Sequence, residues 1–299
     1  MVPSTYHRAM YDGAPANTLR LLVQCPDQPG IVASVSQFLF AHGANIVQAD
    51  QFSTAGGSGW FFLRIEFQTD GLDMDRDDLA AAFQREIAER FRMEWRLAGD
   101  RRQRVALLAS RADHCLVDLL WRWRRGELPM DIPVVVSNHQ QLRADVEAFG
   151  IPYVHLPVSA KNKPEQERAI LDLLAEHNID FVVLARYMQI LSADFIGHYP
   201  SRVINIHHSF LPAFAGADPY GRAFDRGVKI IGATAHYATQ DLDEGPIIEQ
   251  DVVRVSHRDS RDELVRLGRE VERSVLSRAV QWHIEDRVFV RGNRTVVFR

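Results

Sequence analysis

From residue 105 onward, short apolar runs alternate with segments of helical periodicity, and this alternation constrains the fold more than any other feature of the chain. The apolar runs cover residues 105–109, 132–136, 153–156 and 181–185. The helical segments lie around residues 115–123, 141–149 and 165–177. Strands that alternate with helices form right-handed crossovers and a parallel sheet covered by helices on both faces. The pattern therefore predicts a Rossmann-like, mostly parallel α/β domain.

The N-terminal part of the chain follows a different order. Strand-like alternation covers residues 19–25, 46–52, 61–67 and 93–97, and helical spacing covers 31–39 and 79–91. Breaks at 26–30 and 43–45 and a glycine-rich loop at 56–59 separate these segments. The order βαββαβ predicts a ferredoxin-like domain. Because the charged stretch 99–104 is poor in apolar residues, we predict domains at 18–98 and 104–299.

The remaining segments complete the second domain. Residues 228–235 form another apolar run and predict a strand. Apolar residues at helical intervals predict a long helix over about 261–286. Gly292-Asn293 predicts the turn of a hairpin between residues 288–290 and 295–298. No basic segment follows, so we expect no nucleic-acid-binding extension.

Charge and cysteine content exclude several classes of protein. A net charge of −4 and a pI of about 6.3 provide no general basic surface for nucleic acid or membrane. Residues 1–17 lack the apolar region of a secretory signal peptide, and we expect them to be a frayed start of the chain. No apolar run is long enough to span a membrane. Cys25 and Cys115 each lie in an apolar segment, which favours two buried thiols in a reducing compartment. We therefore predict a cytoplasmic protein.

The strand-like run 203–207 carries polar residues in a pattern that builds a site. Side chains two residues apart in a strand point to the same side. Asn205 and His207 therefore share one face, whereas Ile204 and Ile206 pack on the other. An amide donor beside an imidazole indicates a polar site at the end of this strand.

A third histidine and a carboxylate follow the predicted strand 228–235. They are His236 and Asp243, and a Gly-Pro turn at 245–246 is suited to holding the carboxylate in place. Several histidines near an aspartate raise the possibility of a metal site, but the chain has no H-E-x-x-H motif. The adjacent histidines at 207–208 cannot both face one ion from one strand. We predict no metal.

The first strand-to-helix turn of the second domain, residues 110–114, lacks the G-x-G-x-x-G and Walker motifs. It therefore gives no support for a bound nucleotide, and we expect no permanently bound cofactor. Ligands of parallel α/β sheets bind outside the carboxyl ends of the strands. This rule predicts a crevice formed by Ser110, 137–139, 186–188 and 205–209.

Two groups of motifs resemble known families. Asn-Ile-His at 205–207, Ala-His-Tyr at 235–237 and Leu-Asp-Glu-Gly-Pro at 242–246 resemble the catalytic region of folate-dependent formyl transfer enzymes. The run His-His-Ser-Phe-Leu-Pro-Ala-Phe at 207–214 resembles one branch, the formyltetrahydrofolate deformylases. Residues 27–31 and 42–46 resemble the ACT domain, a small-molecule sensor that often binds amino acids.

The formyl transfer resemblance implies a reaction and a site. The reaction is hydrolysis of the substrate 10-formyltetrahydrofolate to formate and tetrahydrofolate, which supplies formate for purine synthesis and balances the one-carbon pool. The catalytic residues carry over onto Asn205, His207 and Asp243. The expected substrate-binding residues are Arg186, Met188, Ile190, Leu191, His208 and His236, of which 186–191 resembles a pterin-binding segment.

The ACT resemblance implies regulation by an amino acid, with glycine or methionine as the expected effector. The regulatory residues would be Asp27, Gly30, Ile31 and Asn45, because main-chain N–H groups at a helix start can hold a carboxylate. Alternatively, this domain forms only an oligomer interface. Open sheet edges are usually paired, so we expect a homo-oligomer, a homotetramer built as a dimer of dimers.

Two other functions remain open from the sequence. A true formyltransferase that passes the group to an amine would share the same three catalytic residues. An amino-acid-responsive binding protein with an inactive second domain would share the domain order. Formate release without an amine acceptor distinguishes all three.

Overall fold

The computed structural model describes residues 17–54, 59–99, 101–212 and 218–299. By its contacts the chain divides into two compact units. The first contains the residues up to Arg102 with 285–289 and 298–299, and the second contains 103–284 and 290–297. Residues 1–16 of the predicted frayed start, 56–58 of the predicted loop, Asp100 of the predicted boundary and 213–214 of the histidine motif lie outside the described residues.

The first unit confirms the predicted βαββαβ order. Its elements are β1 (Thr18–Pro26), α1 (Ile31–Ala41), β2 (Asn45–Ser53), β3 (Trp60–Gln68), α2 (Arg76–Phe83), a π-helical turn (Gln84–Ala88), α3 (Glu89–Phe91) and β4 (Glu94–Ala98). The strands form an antiparallel sheet in the order β2-β3-β1-β4. Leu21 and Val23 of β1 belong to the same core as Val35, Phe38 and Phe83 of the helices, so one sheet face is covered by helices.

The other face of this sheet buries charged groups. The guanidinium of buried Arg64 donates to the main-chain carbonyl of Glu285 at 3.1 Å. Asp286 is also buried, and its carboxylate accepts from Arg20 at 2.7 Å and from Arg96 at 2.6 Å. The sequence assigns residues 285–289 to the second domain, whereas their contacts group them with the first. Within this unit, two arginines compensate the buried carboxylate of Asp286.

The second unit alternates strands and helices as predicted. Its elements are β5 (Gln103–Ala109), α4 (His114–Arg124), β6 (Met130–Ser137), α5 (Arg143–Glu147), β7 (Tyr153–His155), α6 (Lys163–Glu176), β8 (Phe181–Leu184), α7 (Ala193–His198), β9 (Val203–His207), α8 (Pro219–Arg226), β10 (Ile230–Tyr237), β11 (Ile247–Arg254) and α9 (Arg261–Ile284). The hairpin strands β12 (Val288–Arg291) and β13 (Arg294–Val297) follow. Within the described residues, no helix has the length and apolar character to cross a membrane.

A seven-stranded sheet in the order β11-β10-β9-β8-β5-β6-β7 forms the centre of the second unit. The strands from β9 to β7 are parallel, whereas β10 is antiparallel to both β9 and β11. The sheet is therefore mostly parallel, as predicted. The parallel part brings the ends of β5, β6, β8 and β9 to one edge.

Some elements differ from the sequence prediction. The strand predicted at 228–235 is β10, which lies two residues later and therefore contains His236. Strand β11 and helices α7 and α8 were not predicted, and α9 ends two residues earlier than expected. In β11, the polar run Glu249-Gln250-Asp251 interrupts the apolar pattern that would predict a strand. The strand is stabilised by its antiparallel pairing with β10.

Candidate active site

A cleft of about 400 Å³ opens at the carboxyl ends of β8 and β9. Its wall contains all the residues that the sequence predicts for catalysis and substrate binding: Asn205, His207, Asp243, Arg186, Met188, Ile190, Leu191, His208 and His236. They come from three distant stretches of sequence, which the sheet brings together. Ile206 also lines the cleft, although the strand pattern placed it on the opposite face.

Asn205 and His236 form a directed pair across two neighbouring strands. They lie opposite each other in the antiparallel register of β9 and β10. The Asn205 amide nitrogen donates to Nε2 of His236 at 3.1 Å, and Nδ1 of His236 donates to the Tyr237 carbonyl at 3.1 Å. Burial lowers the pKa of His236 and outweighs the opposite effects of that carbonyl and of Asp243. A neutral His236 therefore orients the amide and leaves its second hydrogen for a ligand.

His207 and Asp243 form a second pair. Nδ1 of His207 lies 3.2 Å from Oδ2 of Asp243, while Nε2 of the same ring is buried and has no hydrogen-bond partner among the described residues. Burial raises the pKa of Asp243, but the hydrogen bond from His207 and the neighbouring imidazoles outweigh burial and lower it. Asp243 is thus a carboxylate near neutral pH. Although His236 lies 3.7 Å from it, that contact is no ion pair because His236 is neutral.

The turn after β10 places Asp243 at the cleft. Asp243 has a φ of 59°, a left-handed conformation that aspartate tolerates better than most residues. The turn packs closely on β10, since the Tyr237 N–H donates to the Pro246 carbonyl at 2.9 Å. A Cβ at Gly245 would lie 1.8 Å from the Tyr237 carbonyl oxygen. Glycine at this position therefore allows the close approach that fixes Asp243.

Thr234 supports the chain that follows His207, and sequence reasoning did not identify it. Its buried hydroxyl donates to the Ser209 carbonyl at 2.9 Å and accepts from the Leu211 N–H at 3.0 Å. Gln250 of β11 donates to the same hydroxyl and to the Leu211 carbonyl. A threonine within an apolar strand was the only sequence signal for this contact.

The segment 186–191 is anchored at its start and open at its centre. Arg186 has a φ of 63°, and the Met188 N–H donates to the Ser110 hydroxyl at 2.9 Å. Ser110 in turn donates to the Asn138 side chain at 2.8 Å, which joins three strand ends of the predicted crevice. Met188 and Ile190 are each 56% exposed, so their apolar side chains are available to a ligand.

His208 lies between the cleft and the protein interior. Its ring centroid is 5.3 Å from that of His207 and 6.1 Å from that of Tyr220. Burial, followed by the charge of Arg186, lowers its pKa to about 4. His208 is therefore neutral across the physiological range and can accept a hydrogen bond.

One group among the described residues has the donor types of a metal site. Ligand atoms of His114, Cys115 and Glu272 all lie within 4.8 Å of one another. However, the Arg186 guanidinium lies 3.3 Å from the same Glu272 oxygen that contacts His114. Burial also raises the pKa of the Cys115 thiol well above its usual value, so it is not a thiolate. This chemistry disfavours a cation at the group.

The residues predicted for regulation lie in the first unit. Asp27 is exposed and Gly30 precedes α1 with a φ of 92°. Ile31 is only 2% exposed, so its side chain belongs to the core and only its main-chain N–H is suited to a ligand. Asn45 begins β2, and its amide donates to Gln68 at 2.8 Å.

Known proteins resemble both units. The formyl transferase family model matches residues 103–280, and the ACT domain model matches residues 19–81. The formyltetrahydrofolate deformylase of Bacillus subtilis (strain 168) is 54% identical over 280 residues, which cover 93% of each chain. That of Synechocystis sp. is 55% identical over 282 residues, 94% of this chain and 98% of that protein. A crystal structure of a formyltetrahydrofolate deformylase from Pseudomonas syringae has a TM-score of 0.91 and 54% identity, with 95% of each chain covered.

Proposed function

This chain belongs to the formyltetrahydrofolate deformylases, and we propose that it hydrolyses 10-formyltetrahydrofolate in the cleft through Asn205, His207 and Asp243. The enzyme is a hydrolase of the formyl–folate amide bond. The reaction releases formate and tetrahydrofolate, and it supplies formate for purine synthesis and balances the one-carbon pool. The residue roles rest chiefly on His207, which contacts Asp243 through one ring nitrogen and whose other ring nitrogen has no hydrogen-bond partner in the described part of the chain.

Each catalytic group has a distinct task. Asp243 accepts a proton from the attacking water, whose oxygen bonds to the formyl carbon. The formyl oxygen gains negative charge in the tetrahedral intermediate, and the free hydrogen of the Asn205 amide donates to it. Protonated His207 then gives a proton from Nε2 to the folate nitrogen as the C–N bond breaks. The proton on Asp243 returns to His207, and formic acid leaves as formate with one proton released to solvent.

The substrate's ring system is proposed to lie along residues 186–191. Exposed Met188 and Ile190 provide apolar cover for the ring face, and Leu191 lines the same wall. Arg186 contributes through its main chain, because its guanidinium is directed at Glu272. An apolar wall with a few fixed polar groups is the usual form of a small-molecule site.

The first domain, residues 18–98, is proposed to bind glycine or methionine and to regulate the second, residues 104–299. The ACT match supports a sensor role. The effector's carboxylate would bind main-chain N–H groups at the start of α1, near Asp27, Gly30 and Ile31, and Asn45 would contact its ammonium.

We further propose a cytoplasmic homotetramer. Strands β2 and β4 are the edges of the first sheet, and Val47 and Phe52 of β2 are about half exposed. Exposed apolar residues on an open edge favour pairing with another copy. Cys25 and Cys115 are buried free thiols, as suits a reducing compartment. Light scattering at micromolar concentration tests the assembly, and a monomer would contradict it.

Formate release in the absence of an amine acceptor tests the proposed reaction. The purified enzyme should release formate and tetrahydrofolate in equal amounts from 10-formyltetrahydrofolate. A formyltransferase would require an amine for rapid turnover, and a binding protein would release no formate. Either result would contradict hydrolysis in this cleft.

A further inference from the structure

Glu272 is a buried carboxylate for which the proposed reaction has no role. It lies on α9, and its side chain is 1% exposed. Nε2 of His114 donates to Oε2 at 2.8 Å, the Tyr220 hydroxyl donates to Oε1 at 2.5 Å, and Nε of Arg186 lies 3.3 Å from Oε2. Burial raises the pKa of Glu272, but these partners outweigh it and hold the pKa at about 2. Four separate segments therefore meet at one negative charge.

The neighbouring helix is shaped to admit the Tyr220 hydroxyl. Gly268 lies one turn before Glu272 on α9, and a Cβ at this position would be 2.1 Å from the Tyr220 hydroxyl oxygen. The same Cβ would be 2.2 Å from the ring carbon that bears the hydroxyl. Any side chain at residue 268 would therefore displace Tyr220. The hydrogen bond between Tyr220 and Glu272 depends on this glycine.

Tyr220 connects Glu272 to the cleft through His208. The two rings lie 6.1 Å apart at an angle of 59°. Behind His208 is a second cavity of about 90 Å³, which His208 and Tyr220 line together with Ala223 and Ile231. In the described part of the chain, no residue forms a hydrogen bond with the His208 ring. A ring with space behind it and no hydrogen bond of its own requires a packed neighbour to fix its orientation.

We propose that Glu272 is a positioning residue for the hydrolysis: through Tyr220 it fixes His208, which holds the attacking water together with Asp243. This inference rests on the proposed function and deepens it. Water has two hydrogens, so it can donate one to the Asp243 carboxylate and the other to the neutral His208 ring. Both hydrogens are then held, and an oxygen lone pair is directed at the formyl carbon. The low pKa of His208 supports its role as an acceptor.

Two conservative variants break the link without removing a catalytic group. Tyr220→Phe removes the hydroxyl but keeps the ring, and Gly268→Ala displaces the hydroxyl. Each should lower kcat about 10-fold while KM for 10-formyltetrahydrofolate changes less than about 2-fold, because small misplacements of reacting groups are costly. Gly197→Ala is the matched control, since a Cβ on this exposed glycine of α7 meets nothing within 4 Å, and it should leave kcat unchanged.

A double-mutant cycle separates positioning from a merely structural role. In a His208→Gln background, adding Tyr220→Phe should change kcat by less than about 2-fold, because the ring that Tyr220 fixes is gone. Equal losses from Tyr220→Phe in both backgrounds would overturn the proposal, as would a normal kcat in folded Tyr220→Phe and Gly268→Ala. Wild-type enzyme that releases no formate would instead contradict the proposed function itself.

Discussion

At the residue scale, two histidines in one cleft have opposite surroundings. Nδ1 of His207 contacts the carboxylate of Asp243 at 3.2 Å, whereas burial lowers the pKa of His236 and favours its neutral form. The proposed reaction uses the first ring as the proton donor, and the second ring accepts a hydrogen bond from Asn205. We therefore propose the acid role for His207 and an orienting role for His236.

The first prediction concerns the His207–Asp243 pair. His207→Ala removes the proton donor and Asp243→Asn removes the proton acceptor. Each variant should lower kcat by at least about 10²-fold, the lower range for positioned acid–base groups. Steady-state formate release measures this effect, and fluorescence titration should show that folate binding persists.

Asp241→Asn is the matched control for the Asp243 variant. Asp241 is exposed in the same turn, two residues earlier, and its substitution should leave kcat within about 2-fold of wild type. Near-normal turnover in either purified His207→Ala or Asp243→Asn would remove these residues from the mechanism.

The sequence identified the groups on the cleft wall but not those that hold them. Asn205, His207 and Asp243 belong to short motifs whose spacing on a strand or turn is informative by itself. Tyr220 and Glu272 are 52 positions apart, and their hydrogen bond exists only after α8 packs on α9. On α9, Glu272 reads as one more acidic residue of a long amphipathic helix, so its burial could not be inferred.

At the element scale, the turn after β10 controls where Asp243 lies. The second prediction is that Gly245→Ala lowers kcat at least about 10-fold with little change in KM, because the added Cβ meets the Tyr237 carbonyl and moves the turn. Steady-state kinetics measure kcat and KM, and the midpoint of thermal unfolding shows whether the variant is folded. Gly197→Ala is again the control. A folded Gly245→Ala enzyme with wild-type kcat would show that the turn does not fix the carboxylate.

Strands that depend on their neighbours were the hardest elements to predict. The parallel strands β5, β6 and β8 are nearly continuous apolar runs because both sheet faces are covered. Edge strand β11 has polar residues at its centre, and its ladder with β10 stabilises it. Gln250 of this unpredicted strand also supports the loop after His207, so a missed element concealed part of the site.

The third prediction concerns the start of α1 and of β2. Glycine or methionine should change the rate of formate release at least about 5-fold. An effector changes the rate only if it binds the more active and the less active conformation of the enzyme with different affinities. Asn45→Ala should weaken this response and leave basal turnover intact, whereas Asn293→Ala in the exposed C-terminal hairpin should change neither. If calorimetry on the intact protein detects no binding of either amino acid, the domain has an assembly role only.

At the scale of the whole molecule, both units contain charged groups that folding has buried with partners. In the first unit these are Asp286 and Arg64, and in the second the clearest example is Glu272. Breaking such a pair is more costly than never having formed it, because one charge stays buried without compensation. Composition alone did not predict these pairs, since a chain with many charged residues usually exposes them. Groups whose pKa differs between the folded and unfolded states, Glu272 among them, make stability dependent on pH.

The last prediction is that the folded state loses stability in two steps as pH falls from 7. His208 and His236 both have lowered pKa values in the folded protein, so the unfolded chain binds more protons below its ordinary histidine pKa of about 6.5. The first loss therefore begins near pH 6.5 and, for His208, is complete near pH 4, where it is on the order of 3 kcal/mol. Asp243 and Glu272 also have lowered pKa values, and their stabilisation is lost below about pH 4.5.

Calorimetric midpoints between pH 4 and 8 should fall less steeply for His208→Gln than for wild type, whereas His257→Gln, at an exposed site, should follow wild type. Identical pH slopes for wild type and His208→Gln would show that His208 is not held neutral by its surroundings.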